Sequence, residues 1–282
     1  MSDEGKPQDE KSMTHRLRGH LKRAFHYYSN KFAGLRPPEL DRALLDAAGK
    51  GQEHRVAFLL AAGANAQAEG GRALFNAAKN GHIETMLVLF KAGLTGDVLG
   101  HTALFAAIEN GYRDAARLLI RHGADVKASG DEAIVRAAGF NNVRMMETLL
   151  SHKADPNAQN GEPLRRAAEK GYLHVVRLLL KSGADPRAND SAALYWACRY
   201  NRLSVAEELI SAGAAIHARN GLMLDVAAAF GHEKIVMLLL DKGAQIKTEN
   251  DLCIRWAREK GKTRIADLLV ETIRRRKEPP KP

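Results

Sequence analysis

Apolar residues recur along the chain in pairs of short helical groups, and the pairs follow a constant 30-residue period. Alanine stands at eight positions of this register: Ala47, Ala77, Ala107, Ala137, Ala167, Ala197, Ala227 and Ala257. Leucine stands at eight others: Leu59, Leu89, Leu119, Leu149, Leu179, Leu209, Leu239 and Leu269. So regular a register predicts eight copies of one structural unit, stacked on one another.

Residues 162–184 show how one unit is built. Apolar side chains around Ala167 follow helical spacing as far as Gly171, and those around Leu179 do so as far as Gly183. Alanine lets the first helix approach its neighbour closely, whereas the leucines of the second helix fill the space between units. Each unit is therefore predicted to be a helix–turn–helix.

Glycine marks the ends of most of these predicted helices. A residue that follows a helix often adopts the left-handed conformation, which favours Gly and, after it, Asn. Gly follows the first helix in six units, and Asn141 and Asn201 take its place in the other two. Among the ends of the second helices, Lys153 is the one departure from Gly. The helix ends therefore predict the same unit boundaries as the apolar residues.

The units resemble ankyrin repeats. The T-P-L-H-x-A-A half of that motif resembles His101–Ala107 and Glu162–Ala168, and the L-L-x-x-G-A-D half resembles Leu119–Asp125 and Leu179–Asp185. The resemblance covers about residues 39–272, as eight 30-residue units. It implies an all-α repeat solenoid, an ankyrin helix-turn-helix stack.

Two departures from the ankyrin pattern affect what the resemblance implies. The usual ankyrin period is about 33 residues, so each unit here is shorter, and the shortening falls between the Gly-Ala-Asp and the next helix. The β-hairpin fingers are therefore expected to be short or vestigial. The histidine of T-P-L-H is absent from every unit, so its usual hydrogen bond to the backbone must be made by another group.

The residues outside the repeats are predicted to form two tails and one helix. Residues 1–12 and 273–282 are polar, and we expect disordered tails there, the second of them basic. Residues 13–38 are predicted to be an N-terminal amphipathic helix and a linker, because apolar side chains from Met13 to Phe32 share one helical face. We favour a helix docked on the first repeat; a helix that binds a membrane surface or a partner, and a loose tail, are the alternatives.

Composition places the chain among soluble proteins of a reducing compartment, and we expect a cytoplasmic monomer. Its two cysteines do not suggest a disulfide framework, and no apolar stretch is long enough to predict a membrane span. Of the formal charge of +10, residues 1–38 carry +4 and residues 271–282 carry +3. Most of the excess therefore lies in the terminal arms, which is weak evidence for nucleic-acid binding.

No arrangement of residues typical of catalysis or metal binding occurs, so we expect a non-enzyme without metal or cofactor. The chain has neither a phosphate-binding loop nor a Gly-x-Ser-x-Gly motif, and its histidines lack metal-ligand spacing. His82 and His232 share a repeat position and are expected to be structural. Cys198 replaces a packing alanine and is expected to be buried, whereas the sequence leaves the exposure of Cys253 open.

Candidate binding residues are those that differ from repeat to repeat, because the scaffold does not dictate them. The ankyrin resemblance implies that the residues around the alanine pair line a concave groove. Repeats four to seven carry aromatic and basic residues there: Arg136, Phe140, Arg165, Arg166, Lys170, Tyr195, Trp196, Arg199, Tyr200 and Phe230. Tyr, Trp and Arg dominate the hot spots of protein interfaces, and charge here favours an acidic ligand, although Glu169 opposes it.

These residues predict a non-catalytic adaptor that binds a protein partner along the groove. A nucleic-acid-binding protein is the first alternative, because aromatic rings can stack on bases while Arg and the basic arms neutralise phosphates. A bacterial effector that binds a host protein is the second. Within the groove we expect Arg199 and Tyr200 to contribute most to binding, and Trp196 to be the most structural.

Overall fold

A computed structural model describes residue 32 and residues 34–99, 101–246 and 251–277 of the chain. It divides into two compact units, residues 1–125 and 126–282, and each is treated below by itself. The predicted helix over residues 13–32 lies outside the described residues except for Phe32, and so does the predicted tail over residues 1–12. Across the described residues the secondary structure is helix and turn, without a strand.

The described residues of the first unit form three complete helix pairs. Its helices are α1 Pro37–Gly49, α2 Glu53–Ala61, α3 Ala68–Lys79, α4 Ile83–Lys91, α5 Thr102–Glu109 and α6 Arg113–Arg121. The first helix of each pair packs against the first helix of the next, and the second helices pack likewise. We call the first helix of a pair the inner helix and the second the outer helix.

In the second unit, the part of the chain that the structure describes forms five helix pairs with the same arrangement. Its helices are α7 Ala128–Ala137, α8 Val143–Ser151, α9 Ala158–Lys170, α10 Leu173–Lys181, α11 Ala188–Arg199, α12 Leu203–Ser211, α13 Leu222–Phe230, α14 Glu233–Asp241, α15 Leu252–Glu259 and α16 Thr263–Lys277. A short 3₁₀ helix, Arg219–Gly221, precedes α13. The all-α repeat solenoid predicted from the sequence is confirmed.

The core lies between the inner and outer helices, where the repeat register placed it. The eight register alanines and the eight register leucines are all at most 1% exposed. Small alanines between the inner helices and leucines between the outer ones thus form a close-packed interior. Burial of a leucine side chain stabilises the fold by about 1.5–3 kcal/mol, and every repeat supplies at least one.

The helix ends follow the predicted conformations with one exception. Asn201 has φ +56° after α11, as Gly does elsewhere, and Lys153 has φ +65° although it is neither Gly nor Asn. Asn141 does not adopt the left-handed conformation, so its predicted role is wrong. The cause is that α7 ends early, at Ala137, and a short turn leads from there to the next helix.

A single left-handed turn lies at the start of most inner helices, within the bounds given above or just before them, where the hairpin finger of a longer repeat would lie. Glu69, Gly70 and Gly71 have φ between +50° and +85°, and three residues in a row with positive φ recur at 129–131, 159–161, 189–191 and 219–221. The middle residue of these triplets is Gly, Asn or Asp, the types that tolerate this conformation best. These residue types recur at one position of the repeat register and are a sequence signal for the turn.

Polar side chains of these turns bond to the backbone of a loop. They thereby replace the backbone hydrogen bond that the histidine of T-P-L-H makes in other ankyrin repeats. The backbone N–H of Asp155 donates to Asp131 Oδ1 at 2.8 Å, and that of Ala215 donates to Ser191 Oγ at 2.9 Å. In the first unit the N–H of Asn65 donates to Asp41 in the same way, at 2.6 Å. In each case the loop that follows a helix pair is bonded to a side chain near the start of that same pair.

The two ends of the described repeats differ from the predicted boundaries. Pro37 and Pro38 occupy the first turn of α1, a position that suits proline because its missing N–H has no partner there. Helix α16 runs to Lys277, so residues 273–277 are helical and the predicted disordered tail begins too early. The reason is that Ile273 continues the buried face of the helix, at 4% exposure. None of the described helices is long and apolar enough to cross a membrane.

Candidate functional site

The second unit places the ten candidate residues on its inner helices or at their ends. Three aromatic residues that follow or end inner helices are exposed: Phe140 at 41%, Tyr200 at 42% and Phe230 at 49%. They occupy the same repeat position in different layers. The face of the inner helices therefore carries large apolar side chains in water at one repeat position, which makes it a candidate surface for a partner.

Six of the candidate residues contact one another and form what we call the Trp196 cluster. Its members are Arg165, Tyr195, Trp196, Arg199, Tyr200 and Phe230. The Trp196 ring is stacked on Tyr200 with centroids 5.6 Å apart, and Tyr195 meets it edge-on at 5.5 Å. Such ring pairs are worth about 0.5–1.5 kcal/mol each beyond the area they bury. These contacts favour one arrangement of the cluster without a partner.

Arg199 lies among three rings of the cluster. Its guanidinium carbon is 5.1 Å from the centroid of Phe230, 5.7 Å from Trp196 and 5.9 Å from Tyr200. It also donates a long hydrogen bond of 3.4 Å to the Tyr195 hydroxyl. Hydrogen bonds to the hydroxyls of Tyr195 and Tyr200 raise the pKa of Arg199, so its charge is permanent. Among the described residues Arg199 has no carboxylate partner within ion-pair distance.

The other candidate arginines are paired with carboxylates of their own helices. Arg165 lies 2.6 Å from Glu162 and 2.9 Å from Glu169, and its guanidinium is also 5.4 Å from the Trp196 ring. Arg166 shares Glu162 at 2.9 Å. The hydrogen bond from Arg165 lowers the pKa of Glu162, and the same bond raises the pKa of Arg165. These ion pairs reduce the positive potential that the sequence analysis expected of this surface.

The remaining candidates lie outside the Trp196 cluster. Arg136 pairs with Glu132 at 2.8 Å within α7. Lys170 and Phe140 are exposed at the ends of their inner helices.

The i,i+3 and i,i+4 spacing of Glu162 from Arg165 and Arg166 is a local signal for pairing. This spacing alone predicts that both arginines are paired.

An open pocket of about 390 Å³ adjoins the cluster between α11, α13 and α15. Its lining consists of Tyr195, Arg199, Leu222, Val226, Ala229, Phe230, Trp256, Glu259 and Lys260. We call this the Arg199 pocket. Trp256 and Lys260 were not among the ten residues predicted from the sequence. Both occupy repeat positions that the ankyrin resemblance assigns to the groove, so position was the signal that could have found them.

Neither cysteine has the environment of a nucleophile. Cys198 is 0% exposed and Cys253 is 2% exposed, which resolves the open expectation for Cys253 in favour of burial. Burial raises the pKa of both thiols to about 12, so both stay protonated near neutral pH. No group of three or more His, Cys, Asp or Glu residues that could hold a metal ion is found in the described part of the chain.

The histidines at the start of outer helices hold neighbouring repeats together. His82 Nε2 donates to the carbonyl of Gly49 at 3.1 Å, and His232 Nε2 donates to that of Arg199 at 3.0 Å. Each bond reaches the repeat before and satisfies a carbonyl at the end of an inner helix. Their predicted structural role is confirmed, and His232 also fixes the backbone that carries the Arg199 side chain.

Asp225 on α13 is a half-buried carboxyl whose charge opposes folding. Its pKa is raised from 3.8 to about 6, mainly by burial and next by the nearby charge of Asp251. A hydrogen bond from the backbone N–H of Cys253 lowers the pKa by less. Because the pKa is higher in the folded state, the neutral form of Asp225 favours the folded state. Its contribution to stability is complete below about pH 4, where the group is also largely neutral in the unfolded chain. That contribution is lost as the pH rises through about 6.

We therefore expect Asp225→Asn to stabilise the protein at about pH 7.5 by about 1 kcal/mol, a value reduced for partial exposure of the group. At about pH 4 the variant and the wild type should unfold at the same urea concentration, because the wild-type carboxyl is then neutral. Asp267→Asn, which changes an exposed carboxyl on α16, is the matched control. Equal stabilisation by both variants, or none by either, would contradict the assignment.

Comparison with known protein families supplies the last observation on the site. A sequence model of the family described as Ankyrin repeats (3 copies) matches residues 44–130, 92–160, 134–220 and 164–251. The matches together cover more than half of the chain, including the Trp196 cluster. No curated protein matches the sequence.

Proposed function

The chain belongs to the ankyrin-repeat family, whose repeats generally mediate protein–protein interaction, and on this basis we propose that it is a non-catalytic adaptor. Its partner would bind along the face of the inner helices in repeats four to seven, the concave groove of the ankyrin fold. We further propose that it acts in the cytoplasm as a monomer. Function within this fold depends on surface residues, so the proposal rests on the residues of that face.

The Trp196 cluster is the observation that supports this proposal most directly. Its rings contact one another and Arg199 lies among them, so binding a partner would cost little entropy to order these side chains. Tyr, Trp and Arg, the residue types of this cluster, are enriched in interface hot spots, and Tyr195, Trp196 and Arg199 are half-buried while Tyr200 is exposed. Structural stabilisation of the repeat alone does not require Tyr200 and Phe230 to be left 42% and 49% exposed.

Charge favours a protein partner over nucleic acid. A protein that binds the phosphate backbone of nucleic acid needs many unpaired cations on one face. On this face Arg136, Arg165 and Arg166 are each within ion-pair distance of a glutamate. The aromatic rings could stack on bases, but the electrostatic attraction that usually accompanies stacking is largely neutralised.

The proposal is tested by affinity capture from lysate of the source cells, with and without nuclease. We expect wild-type protein to retain a partner that Arg199→Glu/Tyr200→Ala loses, because the double variant reverses the central charge and removes a stacked ring. The control is Lys234→Glu/Met237→Ala, which makes the same kinds of change at exposed positions of outer helix α14. It should retain the partner.

Circular dichroism should show that both variants remain folded. Capture of the partner by Arg199→Glu/Tyr200→Ala at the wild-type level would place the binding surface elsewhere. Loss of all captured material after nuclease treatment would replace the adaptor by a nucleic-acid-binding protein.

A further inference from the structure

The ends of the inner helices in the second unit form a row of aromatic and basic side chains. At one repeat position, layer after layer, stand Phe140, Lys170, Tyr200, Phe230 and Lys260, and all five are exposed. Packed helices lie about 8–10 Å apart, whereas an extended chain advances about 3.3 Å per residue. A peptide that runs along this row therefore meets a new layer about every third residue.

Arg199 has hydrogen-bond donors for which the described structure supplies no charged acceptor. Aromatic rings occupy positions around the guanidinium at 5.1, 5.7 and 5.9 Å. The N–H groups of a guanidinium lie in its plane, and the described acceptors near them are two tyrosine hydroxyls, that of Tyr195 at 3.4 Å and that of Tyr200. A carboxylate suits the remaining donors, because it accepts two parallel hydrogen bonds from this fork.

The Arg199 pocket adds an apolar site beside that charge. Val226 and Ala229 form its floor, being at most 9% exposed, and Phe230 and Trp256 add aromatic surface. Its volume of about 390 Å³ holds one large side chain with room to spare. Lys260 on the rim adds a second cation and Glu259 one opposing charge, so the pocket with Arg199 carries a net positive charge.

We propose that the inner-helix face of repeats five to eight binds an extended acidic segment of a partner protein. One carboxylate of that segment pairs with Arg199, and an aromatic or large aliphatic side chain a few residues away enters the Arg199 pocket. This inference rests on the proposed adaptor function and specifies the chemistry of its partner. Lys170 and Lys260 attract further acidic residues to either side of the central pair.

The test begins with a display library of random twelve-residue peptides, selected on the immobilised full-length protein. Twelve extended residues span about 40 Å, enough for four layers. We expect enrichment of Asp or Glu about three positions from Phe, Tyr, Trp or Leu. The most enriched peptide is then synthesised with a fluorophore, and its dissociation constant is measured by fluorescence anisotropy.

Arg199→Gln should weaken binding of this peptide by about tenfold or more, as loss of a charged hydrogen bond does. Exchange of the peptide's Glu for Gln should weaken binding to wild type equally, and Arg199→Gln should then cause no further loss. That lack of additivity identifies the two groups as a pair. Lys234→Gln, on the outer helix α14, should leave binding unchanged.

Three outcomes would overturn the inference: enrichment of basic or uncharged peptides, no enrichment at all, or full binding by Arg199→Gln. Tighter binding of a labelled twelve-residue oligodeoxythymidylate than of any peptide would overturn it as well. The adaptor proposal is judged separately. If Arg199→Glu/Tyr200→Ala loses a captured protein while no acidic peptide binds, the face is an interface for a partner of other chemistry.

Discussion

Leu179→Ala is expected to lower the free energy of unfolding by about 2–5 kcal/mol, the usual cost of a leucine truncated in a packed core. Leu179 is fully buried in α10, on the outer-helix side of the core of the second unit. Truncation leaves a cavity that the neighbouring helices α8 and α12 cannot close without disturbing their own packing. Because each repeat is stabilised by its neighbours, the loss affects three layers rather than one.

Leu178 offers a matched control within the same helix. It is half-buried, so Leu178→Ala makes the same chemical change where less apolar area is lost and no closed cavity forms. Urea unfolding followed by circular dichroism measures both variants. A midpoint for Leu179→Ala that equals that of Leu178→Ala would contradict the position of the core.

Gly161→Ala is expected to have the second large effect, about 2–5 kcal/mol of destabilisation from two separate causes. Gly161 is the third residue of a left-handed turn, with φ +82°, where a side chain costs about 1–2 kcal/mol. A Cβ there would also lie 2.4 Å from the Cβ of Ala188 in the next repeat. Relief of that overlap requires the two repeats to move apart, which adds about 1–3 kcal/mol.

Gly221 separates the two contributions. It stands at the same position two repeats later and has nearly the same φ of +80°, but a Cβ at Gly221 would meet no atom within 4 Å. Gly221→Ala should therefore show only the conformational cost. If thermal unfolding showed equal losses of stability for both variants, the overlap with Ala188 would add nothing to the cost of Gly161→Ala.

Local spacing in the sequence was sufficient to predict the helices and the core. Ala167 and Leu179 belong to one repeat register, and every residue of that register is buried because the same nearest-neighbour packing recurs in every layer. The conformation of Asn201 also followed from the sequence, since the preference of Asn for the left-handed region is a property of the residue itself. Asn141 shows the limit of that rule, because it holds only where the preceding helix reaches its usual end.

The candidate site could be predicted only in part. Position in the repeat was enough to bring Trp196, Arg199 and Tyr200 together, since residues three and four apart share a helix face. Contacts between layers were not predictable, because they depend on which rotamer each side chain adopts in the packed stack. The approach of Arg199 to Phe230 in the next repeat and the inclusion of Trp256 in the pocket are contacts of this kind.

The sequence by itself therefore determined the family, the number of repeats and the buried face of each helix, because these depend on local propensity and a fixed period. Tertiary structure decided which cations remain available to a partner. Arg165 is neutralised by Glu162 and Glu169, whereas Arg199 lies among aromatic rings without a described carboxylate partner. The physical reason is that net charge is a sum over residues, whereas the potential at a binding surface depends on distances of a few ångströms between particular groups.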